Sequence, residues 1–293
     1  MSELREWLLK TILDVYTHDV KHLPNEQAVN HGFRMKLEKP IFDMLRELYM
    51  PTLRKAWFDG HGFSANPRHT LFLYETRCHE NLEFLLYNLY YYVGRHQSWA
   101  VLFYCSKEVE SYVKRILGPL ADTIQFEPIP TIFSSSDEAE SHAENRNLYN
   151  DMFLSRAFWD DLDSRGISHI LIAQTDCYFR KAMATDVGEY DYIPSPWAWS
   201  IDNPGGGGLT VRRVAKALEI HTRFPELARG QGEDAWFSEG IVKVGGIVDN
   251  SLFAESYPNP EAIGLHQWWT FVAHLDDAAL DVFEKYMELD LDA

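Results

Sequence analysis

Four short apolar runs alternate with helical periods through the middle of this chain, and that alternation most limits what it can fold into. HTLFLYETR begins at His69, SWAVLFYCS at Ser98, TIQFEPIP at Thr123 and SHILIAQTD at Ser168. Between them, Leu82, Leu85, Leu86 and Leu89 mark one helix, and Val109, Tyr112, Val113 and Ile116 mark a second. Leu148, Met152, Trp159 and Leu162 support a third, ending near Gly166. Strands alternating with helices predict βαβ units and a mainly parallel sheet. Strands covered on both faces show as unbroken apolar runs, which is how these four read.

The flanks differ from this core. Leu4, Trp7, Leu8, Ile12 and Val15 fit one face of a helix over residues 3–16, and Ile41, Met44, Leu45 and Leu48 fit another over 40–49, with Pro51 soon after. The polar stretch FSSSDEAESHAEN reads as a loop. From Tyr190 the alternation loosens. DYIPSPW reads as a strand, the glycines at 205–208 as the start of a helix carrying Val211, Val214, Ala215 and Leu218, and GEDAWFSEGIV as a short helix. Residues 242–253 read as extended, and the tail from Asp276 as an acidic amphipathic helix. The expected division is a helical lead-in over 1–68, a sheet domain over 69–270 and a C-terminal helix over 271–293.

A formal net charge of −17 argues against nonspecific nucleic-acid binding, which needs Lys and Arg facing phosphates. Cys78, Cys105 and Cys177 are too few and too widely spaced for a disulfide framework or a structural zinc site. The first residues, MSELREWLLKTILDVY, have the pattern of neither a secretory signal nor a membrane anchor, so a cytoplasmic location without an integral membrane segment is expected. An oligomer is compatible with the composition.

In open α/β sheets, ligands bind where strands end. Gln174-Thr175-Asp176 closes the fourth run, and Asp176 reads equally as a turn cap or as an oxygen ligand for Mn²⁺ or Mg²⁺. Glu75-Thr76-Arg77 closes the first run and offers an arginine to a diphosphate or to a salt bridge. Gly205, Gly206, Gly207 and Gly208 let a ligand approach the backbone, with Arg212 and Arg213 just beyond. Glu233 and Asp234 suit a helix N-terminus with or without a catalytic role. His266 stands before Trp268 and Trp269, whose faces suit sugar rings. There is no Gly-x-Ser-x-Gly elbow, no HExxH and no Walker loop.

Taken in order, these residues resemble the GT-A-fold glycosyltransferases over about residues 69–270. The match is nearest to a little-characterised branch of nucleotide-sugar transferases that read Glu-x-Arg in the first strand, Gln-x-Asp in the metal strand and Pro-Trp before a glycine-rich turn. Glu75, Arg77, Gln174, Asp176, Pro196 and Trp197 fit that pattern. The resemblance implies a Rossmann-like, mainly parallel sheet flanked by helices and transfer of a sugar from a nucleotide-diphosphate donor to a glycan or other hydroxyl acceptor. It implies Asp176 and His266 on Mn²⁺ or Mg²⁺. Glu75, Thr76, Arg77, Gln174, Trp197, the four glycines and Arg212 would lie about the donor. Asp234, with Glu233 as its rival, would be the base of an inverting reaction, and Trp197, Trp199 and Trp236 would stack on sugar. The metal strand departs from the family's usual Asp-x-Asp, reading Thr175-Asp176-Cys177-Tyr178. That single acid favours a second reading, a nucleotide-sugar or carbohydrate-binding protein without catalysis. A nucleotidyltransferase or phosphate-ester hydrolase would need more clustered carboxylates.

Overall fold

The computed structural model describes residues 3–15, 18, 32–129, 142–197, 204–229, 231–256, 259–269 and 277–292. Helix α1 (Glu3–Val15) and helix α2 (Gly32–Phe58) lead into strand β1 (His69–Glu75), helix α3 (Leu82–Leu89) and strand β2 (Trp99–Cys105). Helix α4 (Lys107–Leu117), strand β3 (Ile124–Pro128), helices α5 (His142–Phe153) and α6 (Arg156–Ser164) and strand β4 (His169–Ala173) follow. The second half holds β5 (Cys177–Phe179), β6 (Tyr192–Ser195), β7 (Gly206–Arg213), α7 (Val214–Arg223), α8 (Glu233–Lys243), β8 (Phe253–Ala254), β9 (Gly264–His266) and α9 (Asp277–Tyr286).

The α/β architecture is the one expected: a mainly parallel sheet flanked by helices. Six strands run in the order β3-β2-β1-β4-β7-β6, and β5-β9-β8 form a small second sheet. β3, β2, β1 and β4 pair in parallel, while β7 runs antiparallel to both β4 and β6. The chain moves outward from β1 through β2 to β3, then returns to place β4 on β1's other side. The crevice past the ends of β1 and β4 is therefore the sheet's topological switch point.

Side chains alternate across each strand and split the core in two. Leu71, Leu73, Val101, Phe103, Leu171, Val211 and Leu209 pack with Leu8, Ile12, Ile41, Leu45, Trp57, Phe283 and Tyr286. Phe72, Leu102, Tyr104, Ile170 and Ile172 pack on the other face with Phe153, Phe158, Trp159, Ile220, Trp236 and Phe237. The terminal helices thus share one apolar layer with the sheet. At about 25 cal/mol per Å² of apolar surface, burying a Leu or Phe of this kind contributes roughly 1.5–3 kcal/mol.

Several local expectations are corrected. The glycines do not open a helix: Gly206–Arg213 is a buried strand, and α7 starts only at Val214. Glycine has no side chain to report a period, so the pairing partner decides, and β4 supplies an antiparallel ladder from Ala173↔Leu209 to His169↔Arg213. The helix expected over 40–49 runs through Pro40 and Pro51, because Leu37, Ile41, Phe42, Leu45, Leu53 and Trp57 all gain burial along it. Trp7, placed on the apolar face of α1, is exposed, while Leu8 and Ile12 are buried. The third helix is two, α5 and α6, parted at Leu154 and Ser155. Residues 242–253 are not one extended piece, since α8 reaches Lys243 and only Phe253 joins a strand. The stretch read as a polar loop falls in part outside the described residues, as does Trp199.

Candidate functional site

Because β7 is antiparallel to β4, its glycine end reaches the edge where β4 stops. Gln174 N donates to the Gly208 carbonyl at 2.9 Å, tying the two together. Glu75, Asp176 and the glycines therefore share one edge of the sheet. At the end of β1, the buried Glu75 carboxylate turns inward: Oε1 accepts from the backbone N–H groups of Thr76 and Arg77, each at 2.9 Å, and from Arg77 Nε at 3.2 Å. It closes the turn and leaves the Arg77 guanidinium half exposed at the crevice. Thr76 and Gln174 are half-buried beside it.

Past β4, a turn over 174–176 leads into β5, whose partner is β9. The register pairs Cys177 with His266, which brings Asp176 and His266 together from positions ninety residues apart. Asp176 Oδ1 lies 3.4 Å from His266 Nε2. His266 Nδ1 lies 2.9 Å from Glu255 Oε2. Gln267 donates from Nε2 to Asp176 Oδ2 at 2.5 Å and from its backbone N to the Asp176 carbonyl at 3.3 Å. Gln267 has φ 45°, the one positive φ of a non-glycine among the described residues. That strained backbone costs on the order of 1 kcal/mol and aims the amide at the carboxylate.

These residues fit a divalent ion. His266 Nε2 is buried with no hydrogen bond among the described residues, although a buried imidazole nitrogen normally has one. Asp176, Cys177 and His266 bring their ligand atoms within 4.8 Å of one another. Glu255 behind Nδ1 is the kind of carboxylate that fixes a ligating histidine. Without an ion, burial lowers the His266 pKa, but the Glu255 and Asp176 carboxylates outweigh it and raise the ring to about 9. A proton then supplies the positive charge that an ion would bring.

On β7, each glycine makes room for a particular neighbour. Gly205 has φ 138°, and a Cβ there would lie 2.4 Å from the Ser195 carbonyl. Gly206 lies under Trp197, whose Nε1 would be 2.2 Å from an added Cβ. Gly207 faces Glu233 Oε1 at 2.4 Å, Arg212 Nη2 at 2.7 Å and Asp234 Cβ at 3.0 Å from that hypothetical Cβ. A Cβ added at Gly208 would lie 2.1 Å from His266 Nε2. A register shift between Ile193 and Ser195 accompanies this change of facing. The Gly207–Gly208 peptide thus stands between the Asp176–His266 pair and the acids of α8.

Those acids have different surroundings. Acidic residues in the first turn suit the helix dipole, and Asn150 Oδ1 accepts from Glu233 N at 3.0 Å, satisfying one end N–H. Glu233 is buried and accepts from Arg212 Nη1. Burial pushes its carboxyl up against the pull of Arg212. Arg212 is fully buried over the rings of Phe237 and Phe153, at 5.0 and 5.4 Å. Asp234 is half-buried, and its Oδ1 accepts from Ala235 N at 2.7 Å.

The candidates thus converge, with exceptions. Arg212 is turned inward to Glu233 rather than outward to solvent. Trp236, Trp268 and Trp269 are fully buried core residues, so the sugar-stacking role read for them is corrected, while Trp197 keeps partial exposure against Gly206. Cys177, Glu255, Gln267 and Asn150 were not singled out from sequence. Cys177 could have been, as the neighbour of Asp176. Glu255 and Gln267 carry no spacing signal.

Residues 135–251 match the model of a family described as a protein of unknown function, DUF5672, a span that holds Asp176 and α8 but not His266. No curated protein matches the chain in sequence. Among solved structures, it is similar to core-mannan synthase A from Aspergillus fumigatus in its Mn/GDP form, with a TM-score of 0.44 and 9% identity over 63% of this chain and 72% of that one. It is similar to mouse xyloside xylosyltransferase 1, with a TM-score of 0.45 and 12% identity over 76% and 94%. A third is a mannosyltransferase from Pyrobaculum calidifontis in complex with GDP-Man and Mn²⁺, with a TM-score of 0.40 and 14% identity over 80% and 67%. The likeness is remote at these scores, and what the site can do follows from its own residues.

Proposed function

We propose that this chain is a glycosyltransferase that moves a sugar from a nucleotide-diphosphate donor to an acceptor hydroxyl. One observation carries the reading: Asp176 and His266 meet at 3.4 Å at the switch point of an α/β sheet, with the half-exposed Asp234 across a glycine strand from them.

Asp176 Oδ1 and His266 Nε2 would hold a divalent ion of the Mn²⁺ or Mg²⁺ kind, and Glu255 and Gln267 fix their orientations. Such an ion, when bound, neutralises charge on the leaving diphosphate. Arg77, half exposed at the end of β1, meets the same diphosphate. Thr76, Gln174 and Trp197 border the crevice, and the glycines make room for Trp197, Glu233 and His266 beside it. Asp234 is the base: its carboxylate takes the acceptor proton, and the acceptor oxygen bonds to the anomeric carbon. The bond from that carbon to the diphosphate breaks, with its electron pair leaving on the phosphate oxygen. Attack opposite the leaving group inverts the centre. Glu233, locked to Arg212, holds the start of α8 in place.

The test is donor turnover with Mn²⁺ across nucleotide sugars. Asp234→Asn is expected to abolish transfer and keep nucleotide binding. Wild-type turnover in both Asp176→Ala and His266→Ala would sink the metal assignment.

A further inference from the structure

We infer that Cys177 is a third ligand of this metal site, which makes it selective for a thiophilic divalent ion of the Zn²⁺ or Co²⁺ class over Mg²⁺. The inference rests on the metal reading above, adds a ligand to it and narrows its ion class, with Mg²⁺ excluded.

Three observations carry it. Cys177 is directly opposite His266 in the β5–β9 ladder, and opposed residues of an antiparallel pair put their side chains on the same face, about 5 Å apart at Cβ. The Sγ atom, an Asp176 oxygen and a His266 nitrogen all lie within 4.8 Å of one another, and all three residues are buried. The nearest polar neighbour of His266 Nε2 is Asp176 Oδ1 at 3.4 Å, and that oxygen would bind the same ion.

Asp176 Oδ1 and His266 Nε2 are 3.4 Å apart and the Cys177 sulfur lies within 4.8 Å of both residues' ligand atoms, so one ion can reach all three. Three protein ligands leave one position open, the arrangement of a catalytic rather than a structural site, and a diphosphate oxygen fits there. A thiolate favours Zn²⁺ and Co²⁺, while Mg²⁺ demands oxygen ligands in an octahedron.

The Cys177 thiol donates to the Gly208 carbonyl at 3.1 Å. Coordination replaces that contact: the S–H bond and the imidazolium Nε2–H bond break, both protons go to water, and the sulfur and nitrogen electron pairs are donated to the ion. Gly208 is common to both arrangements, since its carbonyl accepts from the thiol and its Cα side faces the imidazole.

The experiment is a titration of the full chain with Co²⁺ alone, followed by absorption, in a Cys78→Ser background because Cys78 is exposed. A thiolate-to-cobalt charge-transfer band in the near ultraviolet and strong four-coordinate bands in the visible are expected. Zn²⁺ displaces Co²⁺ and a large excess of Mg²⁺ does not. Cys177→Ser removes the charge-transfer band. Because that residue is buried, His266→Ala provides an independent check and removes the band with the thiol intact. Bound Co²⁺ without the band, a band that survives Cys177→Ser, or no Co²⁺ binding by the folded protein would each overturn the proposal. A band with no nucleotide binding removes the transferase reading and leaves this one standing. Nucleotide binding with no band does the reverse.

Discussion

Gly208 and His266 share a space that only a glycine leaves open: a Cβ on Gly208 would lie 2.1 Å from the imidazole Nε2. The ring cannot yield easily, because Nδ1 is held 2.9 Å from the buried Glu255 carboxylate. Gly208→Ala is therefore expected to displace the imidazole. Overpacking of this kind typically costs about 1–3 kcal/mol. Urea denaturation should show that loss, and calorimetry should show divalent-ion binding largely abolished.

Glu255→Gln separates orientation from ligation. The change keeps shape and removes the negative charge behind the ring. Metal affinity is expected to fall by about 10–100-fold, with the fold retained. Unchanged affinity would mean that Glu255 plays no part in setting the imidazole.

Glu233 and Asp234 are expected to fail in different ways. Arg212→Met leaves a buried carboxylate without its cation, and breaking such a pair typically costs about 3–5 kcal/mol. Combining it with Glu233→Gln should recover much of that stability. Asp234→Asn touches a half-exposed helix start, so it should leave the denaturation midpoint nearly unchanged and remove turnover.

Stability should fall on mild acidification. Burial holds His169 and His221 down to about 4. His169 sits with Nε2 3.1 Å from the Tyr190 carbonyl, and the His221 ring packs tilted against Trp236 at 4.6 Å between centroids. In the unfolded chain both titrate near 6.5. Between about 6.5 and about 4 the unfolded state binds more protons, so their contribution is complete above that window and is lost as pH falls through it. Denaturation midpoints measured across this range should decline, and His221→Phe should shallow the slope.

The sheet was legible where burial writes itself into sequence. β1, β2 and β4 are covered on both faces and show as unbroken apolar runs. β7 was not legible as a strand, since a run of glycines states no period and its ladder comes from β4, far away in sequence. The local pattern confines that helix to residues 40–49, while the buried face of α2 carries it past both Pro40 and Pro51. At the site, Asp176, His266 and the α8 acids could be found by their places at element ends. Cys177 is legible as the neighbour of Asp176, whereas Glu255 and Gln267 converge only through the small sheet and the turn after it, which no linear spacing encodes.

The most direct measurement is nucleotide binding with and without a divalent ion. Calorimetry of UDP, GDP, CMP and dTDP against the full chain should show one that binds in the presence of Mn²⁺ or Co²⁺, and much more weakly after chelation. Asp176→Asn should lose that metal-dependent part. Absence of binding by every nucleotide, with the ion present and the protein folded, would contradict the account.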